Sequence, residues 1–375
     1  MSEIKPFHLN IAEDDLVRLA DRLDNTRWPE QEPVDDWSQG TRLAALRELV
    51  AYWRIEYDWR RCEARLNAVG QFTTEIDGLA IHFLHRRSPR ADALPLIITH
   101  GWPGSVVEFL GVIDELADPA DPEAQAFHVV APSLPGYGFS QKPSGTGWGI
   151  ERIASAWSEL MQRLGYDRWV AQGGDWGSAV TTAIGHQAPD GCIGIHLNMP
   201  IVRPNPEDMA SKDPAILKAV QRLMFYQEWD SGYSKEQSTR PQTIGYSLVD
   251  SPVGLAAWIL EKIYYWTDNQ GSPWDALSMD QVLDDVMLYW LPATGASAAR
   301  LYWESFGTFG AGNVAVPTGV SVFEKEILLT PREWAQRSLT NIVYWSEVAE
   351  GGHFAAWEQP DLFVAELRAC FAKMI

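Results

Sequence analysis

Cysteine is scarce in this sequence, and the three that occur, Cys62, Cys192 and Cys370, stand far apart. Their odd number cannot form a complete set of disulfides, and their spacing does not match that of metal ligands. We therefore expect reduced cysteines that serve only in packing.

Positive charge is also in deficit, because 30 Lys and Arg face 50 Asp and Glu, which gives a formal net charge of −20 at pH 7. This balance argues against nucleic acid or an anionic membrane surface as a partner. No apolar run reaches the ~18 residues of a transmembrane helix, and the segment MSEIKPFHLN shows no signal-peptide pattern. The expectation is a soluble, cytoplasmic protein.

The first part of the chain, residues 1–70, has the periodicity of helices. Apolar residues recur at helical spacing from Asp14 to Leu23 and again from Leu46 to Trp53, and Arg27-Trp28-Pro29 separates the two runs. This segment is too short and too open for an independent domain, so we interpret it as an extension packed on the main body.

From Phe72 onward the pattern changes to that of strands. Two strand-like segments are joined through Asp77-Gly78, which is a hairpin signal. Short, continuous apolar runs follow, as is typical of strands buried on both faces, and they are Leu94–Thr99, Phe127–Ser133, Trp169–Gln172 and Cys192–Leu197. A helical stripe from Ile153 to Leu164 lies between two of them. Alternating strands and helices predict an α/β fold with a mostly parallel sheet and helices on both faces.

The alternation stops at Pro200. Residues 201–312 are helical and aromatic in pattern, strand signals return at Val314–Phe323 and Ile342–Val348, and an amphipathic helix closes the chain. We predict one core made of residues 71–200 and 313–375, interrupted by a helical lid at 201–312.

The stretch Trp169–Ser178, WVAQGGDWGS, has the layout of a nucleophile elbow. Apolar strand residues turn through Gly173 and Gly174 onto Asp175 and continue into a helix, so that Asp175 stands where an esterase has serine. A carboxylate attacks saturated carbon bearing a leaving group, as in epoxides and alkyl halides. The same residues could also form an ordinary turn.

A base and an orienting acid should follow in chain order. His353, in a glycine-flanked loop after the last strand, is the base candidate, and the other histidines are better explained by structural or surface roles. Glu324 and Glu326 both follow the preceding strand, and we choose Glu326. The other position that some hydrolases use for the acid is occupied by Asn198.

The loop His100–Ser105, HGWPGS, follows the third predicted strand of the sheet. In folds of this layout that loop and the residue after the nucleophile each contribute a main-chain N–H to an oxyanion hole. Trp102 and Trp176 are therefore the predicted main-chain donors.

Taken together, these motifs closely resemble epoxide hydrolases of the microsomal and juvenile-hormone type. The resemblance covers nearly the whole chain and includes the Arg27-Trp28-Pro29 extension. The matching segments are HGWPGS (100–105), APSLPGYGFS (131–140), GGDWGS (173–178), DSPVGLAAWILEK (250–262), VPTGVSVFEKEI (316–327) and GGHFAAWEQP (351–360).

The resemblance implies an α/β-hydrolase fold with a helical lid and places the nucleophile on Asp175, the base on His353 and the acid on Glu326. Where the family usually has Phe-Pro-x-Glu, this chain has Phe323-Glu324-Lys325-Glu326. It also implies two lid tyrosines that assist the epoxide oxygen, and Tyr302 and Tyr233 match those positions.

The predicted activity is hydrolysis of an apolar epoxide to a vicinal diol through an alkyl ester of Asp175, without a metal or organic cofactor. Two alternatives are a haloalkane dehalogenase, which shares the fold and the nucleophile, and a catalytically silent binding module. Exposed aromatic residues of the lid could form a homodimer contact.

Overall fold

A nine-stranded sheet forms the centre of the protein, as seen in a computed structural model that describes residues 3–308 and 312–375. The strands lie in the order β1-β2-β3-β5-β4-β6-β7-β8-β9. Their bounds are β1 Lys5–Phe7, β2 Gln71–Ile76, β3 Leu79–Arg86, β4 Leu94–Thr99, β5 Phe127–Pro132, β6 Trp169–Gly173, β7 Cys192–Leu197, β8 Thr318–Phe323 and β9 Ile342–Val348.

Strands β4 to β9 pair in parallel, whereas β1, β2 and β3 are antiparallel to their neighbours. The predicted hairpin is confirmed, because β2 and β3 pair from Gln71↔Leu84 to Ile76↔Leu79 around Asp77 and Gly78. The α/β class with a mostly parallel sheet is likewise confirmed.

Helices flank the sheet and fill the long connection between β7 and β8. They are α1 Glu13–Asp24, α2 Leu43–Ile55, α3 Trp59–Val69, α4 Ile113–Ala117, α5 Ile150–Arg163, α6 Asp175–Gln187, α7 Pro206–Met209, α8 Pro214–Phe225, α9 Gly232–Thr239, α10 Pro241–Asp250, α11 Pro252–Trp266, α12 Met279–Trp290, α13 Gly295–Ser305, α14 Arg332–Ala335, α15 Ala355–Glu358 and α16 Pro360–Phe371. A π-helical turn, Tyr226–Asp230, separates α8 from α9, and 3₁₀ turns occupy Val106–Phe109, Pro273–Asp275 and Phe306–Thr308.

Two expectations about strands need correction. The N-terminal extension is not wholly helical, because Lys5–Phe7 pairs with β2 as an edge strand of the sheet. The strand predicted from Val314 begins only at Thr318, since Val314 makes an isolated bridge to Leu339 and Pro317 has no N–H for a ladder. Residues 309–311 of the predicted lid lie outside the described residues, as do residues 1 and 2 of the extension.

The N-terminal extension is hydrogen-bonded to the helices between β7 and β8, which we call the lid. The Tyr57 hydroxyl donates to Asp284 Oδ1 at 2.8 Å, the Thr41 hydroxyl donates to the Ala257 carbonyl at 2.7 Å, and the Tyr265 hydroxyl donates to a main-chain carbonyl of the extension at 2.8 Å. These bonds hold the extension against the lid as well as against the sheet.

The order of the strands explains where a site can form. The chain runs from β4 to β5 on one side and later returns to β6 on the other, so β4 is the point at which the strand order reverses. Ligands of α/β sheets bind in the crevice outside the carboxyl ends of the strands at such a point. The loops after Thr99 and Gly173 border this crevice.

Within the described ranges, no single helix is long and apolar enough to span a membrane, although α10 and α11 pass that test of length and composition as a pair bent by 115°.

Candidate active site

Asp175 lies on the sharp turn between β6 and α6. Its φ is 50°, an uncommon value for a residue with a side chain, and such strained conformations cluster at functional sites. Glycine allows the close approach that this turn requires, because a Cβ at residue 177 would overlap the carbonyl of Thr99, and a Cβ at residue 173 would overlap the main chain of Gly177. The turn therefore presents the Asp175 carboxylate at the carboxyl edge of the sheet.

His353 lies between Asp175 and Glu326. Its Nε2 is 3.4 Å from Asp175 Oδ2, and its Nδ1 is 2.6 Å from Glu326 Oε1. All three residues are at least nine-tenths buried. Asp175 follows β6, His353 follows β9 and Glu326 follows β8, so the ends of three parallel strands assemble this constellation.

Glu326, and not Glu324, contacts the histidine. Oε1 of Glu326 also accepts a hydrogen bond from the Ile327 N–H at 2.7 Å, which fixes the orientation of the carboxylate. Glu324 forms an ion pair with Lys218 and its side chain is 45% exposed. Asn198 accepts a hydrogen bond from Gln172 Nε2 at 2.6 Å.

The two carboxylates determine the charge of the histidine. Burial lowers the pKa of His353, but the charges and hydrogen bonds of Glu326 and Asp175 outweigh burial and raise that pKa well above its ordinary value. An imidazolium is therefore favoured while both carboxylates are charged. Any reaction that neutralises Asp175 removes one of these two charges and favours the neutral imidazole.

Trp102 donates its main-chain N–H to Asp175 Oδ1 at 2.8 Å. Glycine before it is required by space, because a Cβ at residue 101 would overlap the Asp175 side chain. Trp176 follows Asp175 in the first turn of α6, where N–H groups point out of the helix end. The structure thus brings the loop after β4 and the start of α6 to the same carboxylate.

The two predicted tyrosines face the same point from the lid. Tyr302 lies on α13 and Tyr233 on α9, both are buried, and their ring centroids are 5.7 Å apart. The Trp102 ring stacks on Tyr233 at 4.7 Å and packs edge-on to Tyr302 at 5.9 Å. The Trp176 ring is 4.8 Å from Tyr302.

Both phenols are neutral at neutral pH. Burial raises the pKa of Tyr233 well above its ordinary value, and the neighbouring Tyr226 and Tyr302 add to the effect. Burial raises the pKa of Tyr302 in the same direction, with the charge of Asp175 contributing. Each hydroxyl can therefore donate a hydrogen bond or a proton towards an oxygen placed near Asp175.

A third tyrosine joins the pair. The Tyr226 hydroxyl is 3.1 Å from the Tyr233 hydroxyl, and it comes from the π-helical turn between α8 and α9. From sequence, Tyr226 belonged only to an aromatic helical run. Its contact with Tyr233 depends on the π-turn, which no pattern in the sequence indicated.

A largely apolar cavity of about 660 Å³ opens beside these tyrosines. Tyr226 lines it, and so does Phe306, whose ring stacks on Tyr302 at 5.9 Å. Other lining residues include Leu223, Met224, Leu328 and Trp334. Small-molecule sites have this character, with apolar walls and few polar groups.

The loop that carries His353 is tied to the lid. The His353 N–H donates to the Trp266 carbonyl at 2.8 Å. The Glu358 carboxylate accepts from the N–H groups of Asp268 at 2.6 Å, Gly352 at 3.1 Å and Phe354 at 3.0 Å. Glu358 lies in the segment GGHFAAWEQP, which singled out His353, but no role for it followed from sequence.

A buried ion pair lies against the rings of Tyr233 and Trp266. Lys262 Nζ is 2.7 Å from Asp230 Oδ1 and 4.6 Å from the centre of the Tyr233 ring. The other oxygen of Asp230 accepts from Trp266 Nε1 at 2.6 Å, and the Trp266 ring is 4.9 Å from the ring of His353. Sequence analysis missed this pair, because 32 residues separate its members.

Four further histidines are buried, namely His82, His85, His100 and His196, and burial lowers the pKa of each. His82 contacts Ser133 and Gln71, and burial lowers its pKa to about 3. Burial lowers the pKa of His196 to about 3 and that of His100 to about 4. Across residues 3–308 and 312–375, no group of three or more His, Cys, Asp or Glu side chains is arranged to hold a metal ion.

The parallel sheet, the elbow after β6 and the late histidine define an α/β-hydrolase, and residues 95–360 match the family model described as alpha/beta hydrolase fold. Residues 4–109 match the model of the epoxide hydrolase N terminus.

Curated relatives point to one family. A protein of Stigmatella aurantiaca (strain DW4/3-1), provisionally named an epoxide hydrolase, is 53% identical in an alignment of 375 positions that covers 99% of this chain and 85% of that protein. Epoxide hydrolase 1 of Sus scrofa is 34% identical over 97% of this chain and 88% of its own length.

Solved structures agree. The epoxide hydrolase of Aspergillus niger superimposes with a TM-score of 0.91 at 35% identity, over 100% of this chain and 97% of that one. The juvenile hormone epoxide hydrolase of the silkworm Bombyx mori gives a TM-score of 0.92 at 31% identity, over 100% and 95%. The chain belongs to the epoxide hydrolase family, and the assignment made from its motifs is confirmed.

Proposed function

We propose that the protein converts an apolar epoxide to a vicinal diol in two steps. In the first step Asp175 attacks the less hindered epoxide carbon. Oδ1 is engaged by the Trp102 N–H, which leaves Oδ2 as the attacking oxygen. The carbon–oxygen bond of the epoxide breaks, and the alkoxide takes a proton from the pair Tyr233 and Tyr302. The result is an alkyl ester of Asp175.

In the second step a water hydrolyses the ester. His353, oriented by Glu326, takes a proton from the water as its oxygen bonds to the Asp175 carboxyl carbon. Main-chain N–H groups of Trp102 and Trp176 stabilise the oxyanion. The ester bond then breaks and His353 gives its proton to the leaving alkoxide. Asp175, left as the carboxylic acid, releases the proton that the tyrosinate takes up. Epoxide and water are thereby converted to diol with no other reactant.

One observation carries this proposal. A carboxylate, and not a hydroxyl, stands at the elbow within 3.4 Å of a histidine nitrogen whose other nitrogen is bonded to Glu326. Esterification would neutralise Asp175 and so lower the pKa of His353. The base would become competent only after the first step, which is when the mechanism needs it.

The test is to trap the ester. With styrene oxide, His353→Gln should form an adduct that intact-protein mass spectrometry detects as the mass of the protein plus one substrate. Asp175→Asn should form none. If His353→Gln consumes substrate without an adduct, the two-step mechanism is wrong. Chloride release from a simple haloalkane, measured on the wild type, tests the dehalogenase alternative.

We further propose that the non-reacting part of the substrate occupies the 660 Å³ apolar cavity. Its position beside Tyr226 and Phe306 would place an aryl or alkyl group next to the tyrosine pair. A panel of epoxides with chiral analysis of the diols tests this. Enlarging an apolar substituent from methyl to phenyl should raise kcat/KM, whereas a charged substituent of similar size should lower it.

A further inference from the structure

A second, much smaller cavity is lined by Asp175, His353 and residues of the loop that carries Trp102. Its volume is about 20 Å³. One ordered water needs ~10–15 Å³ together with two to four polar partners. The cavity is therefore large enough for a single water and too small for an organic substrate.

The walls of this cavity include both groups that the ester hydrolysis requires. Asp175 and His353 line it, and so do the polar side chains of Glu108, Gln172 and Asn198. A water held here would adjoin both the candidate base and the Asp175 carboxyl group that it must attack. The large apolar cavity beside the tyrosines has none of these five residues among its lining.

Glu108 has no role in the chemistry described so far, although burying a carboxyl group is costly. It lies in the 3₁₀ turn Val106–Phe109 that directly follows the Trp102 loop, and it is 9% exposed. Its carboxyl group folds back over Gly104, where any Cβ would overlap Oε1. The glycine thus makes the space into which this carboxyl group turns.

Gln172 supplies an independent observation. It is 1% exposed, and its Nε2 donates to Asn198 Oδ1 at 2.6 Å. Its Oε1 accepts no hydrogen bond from the part of the chain that the structure describes. A buried amide oxygen is normally satisfied by a protein group or by an ordered water. Because Gln172 lines the cavity, a water there would satisfy this acceptor.

We infer that this cavity is the site of the hydrolytic water and that Glu108 and Gln172 hold the water for attack. The inference rests on the proposed function and adds two residues to its second step. The water donates one hydrogen to His353 Nε2 and the other to Gln172 Oε1. One lone pair accepts from the Glu108 carboxyl group, and the other faces the carboxyl carbon of Asp175.

The protonation of Glu108 fits this arrangement. Burial raises its pKa well above the ordinary value, and the charge of nearby Asp285 acts in the same direction. A neutral carboxylic acid can donate to the water, whereas a carboxylate could only accept. Glu108 keeps its proton throughout, since His353 is the group that takes the proton from the water.

The experiment separates the two steps by rapid quench and intact-protein mass spectrometry with styrene oxide in single turnover. Glu108→Leu should slow the loss of the ester by about 10- to 100-fold, within the range seen for groups that assist proton transfer. Ester formation should change by less than about threefold, so the ester should accumulate. Glu108→Gln, which keeps a donor, should recover most of the rate that Glu108→Leu loses.

Two further variants complete the design. Gln172→Leu should also slow loss of the ester selectively. Glu63→Leu is the matched control, because Glu63 is also a buried glutamate and accepts a hydrogen bond from the Ile11 N–H at 2.7 Å, but it does not line the cavity. It should leave the ratio of the two rates unchanged. Circular dichroism on each variant identifies any loss of folding.

The inference is overturned if Glu108→Leu, folded as the wild type, loses the ester at the wild-type rate. It is also overturned if both steps slow equally, because that result indicates a structural role. Failure of the proposed function looks different, since His353→Gln would then form no ester at all. If His353→Gln traps the ester but Glu108→Leu hydrolyses it at the wild-type rate, only the water site is rejected.

Discussion

Replacing Lys262 alone should lower the free energy of unfolding far more than replacing it together with Asp230. Nζ of Lys262 is bonded to Asp230 at 2.7 Å and to Glu261 at 2.5 Å, and the Lys262 side chain is 2% exposed. Lys262→Met leaves a buried carboxylate without its cation. Breaking a buried pair in this way costs about 3–5 kcal/mol, whereas replacing both partners by neutral residues is often nearly neutral.

The double variant Asp230→Asn/Lys262→Met should therefore be more stable than Lys262→Met. The expected coupling between the two positions is at least about 2 kcal/mol, which lies within the range for residues in direct contact. Asp230 also accepts a hydrogen bond from Trp266 Nε1 at 2.6 Å, which the double variant should keep. An asparagine there can retain that bond through its carbonyl oxygen.

Urea unfolding followed by tryptophan fluorescence and circular dichroism measures these differences from the midpoint and slope. Arg54→Met is a suitable control, because the pair of Arg54 with Asp24 has a similar distance of 2.9 Å but side chains that are 45% and 50% exposed. It should move the midpoint much less than Lys262→Met. Additive costs for Asp230→Asn and Lys262→Met would refute the claim that a buried charge pair holds this part of the lid.

Two other predictions concern the chemistry, and a third concerns stability. Tyr302→Phe and Tyr233→Phe should each slow ester formation by about 10- to 100-fold and leave loss of the ester nearly unchanged, as single-turnover assays can show. Loss of the ester should rise with pH as the imidazolium of His353 loses its proton, and a flat profile through roughly pH 5 to 8 would contradict a base role. Burial raises the pKa of Glu358 from 4.5 to about 7, so its contribution to stability is present at low pH and is lost as pH rises through about 7. In Glu358→Gln the urea midpoint should depend less on pH in this range. If its pH dependence is unchanged, other groups cause it.

Much of the core could be predicted because its strands are buried on both faces. Continuous apolar runs predicted β4 and β7 with the bounds that the structure shows. Glycines near Asp175 indicated the elbow, and a Cβ at residue 173 or 177 would overlap the main chain. Local chemistry and strand order together were enough to predict that Asp175 and His353 lie at the same edge of the sheet.

Features that depend on distant contacts escaped prediction. Strand β1 has only three residues, and its pairing with β2 is a tertiary contact without a periodic signal. The sequence favoured Glu326 over Glu324 but left Glu324 as an alternative, and only the turn after β8 shows that Glu326 faces His353. Glu108 likewise resembles any charge on a short turn until the cavity beside it is known.

The anchoring of the His353 loop limits how substrate can enter. The N–H of this residue is bonded to the last residue of α11, and Glu358 bridges the loop to Asp268 just beyond that helix. If the whole lid lifted as one body, the loop would lose these partners each time. Epoxide should therefore enter, and diol leave, past Tyr226 and Phe306, while α11 stays in place.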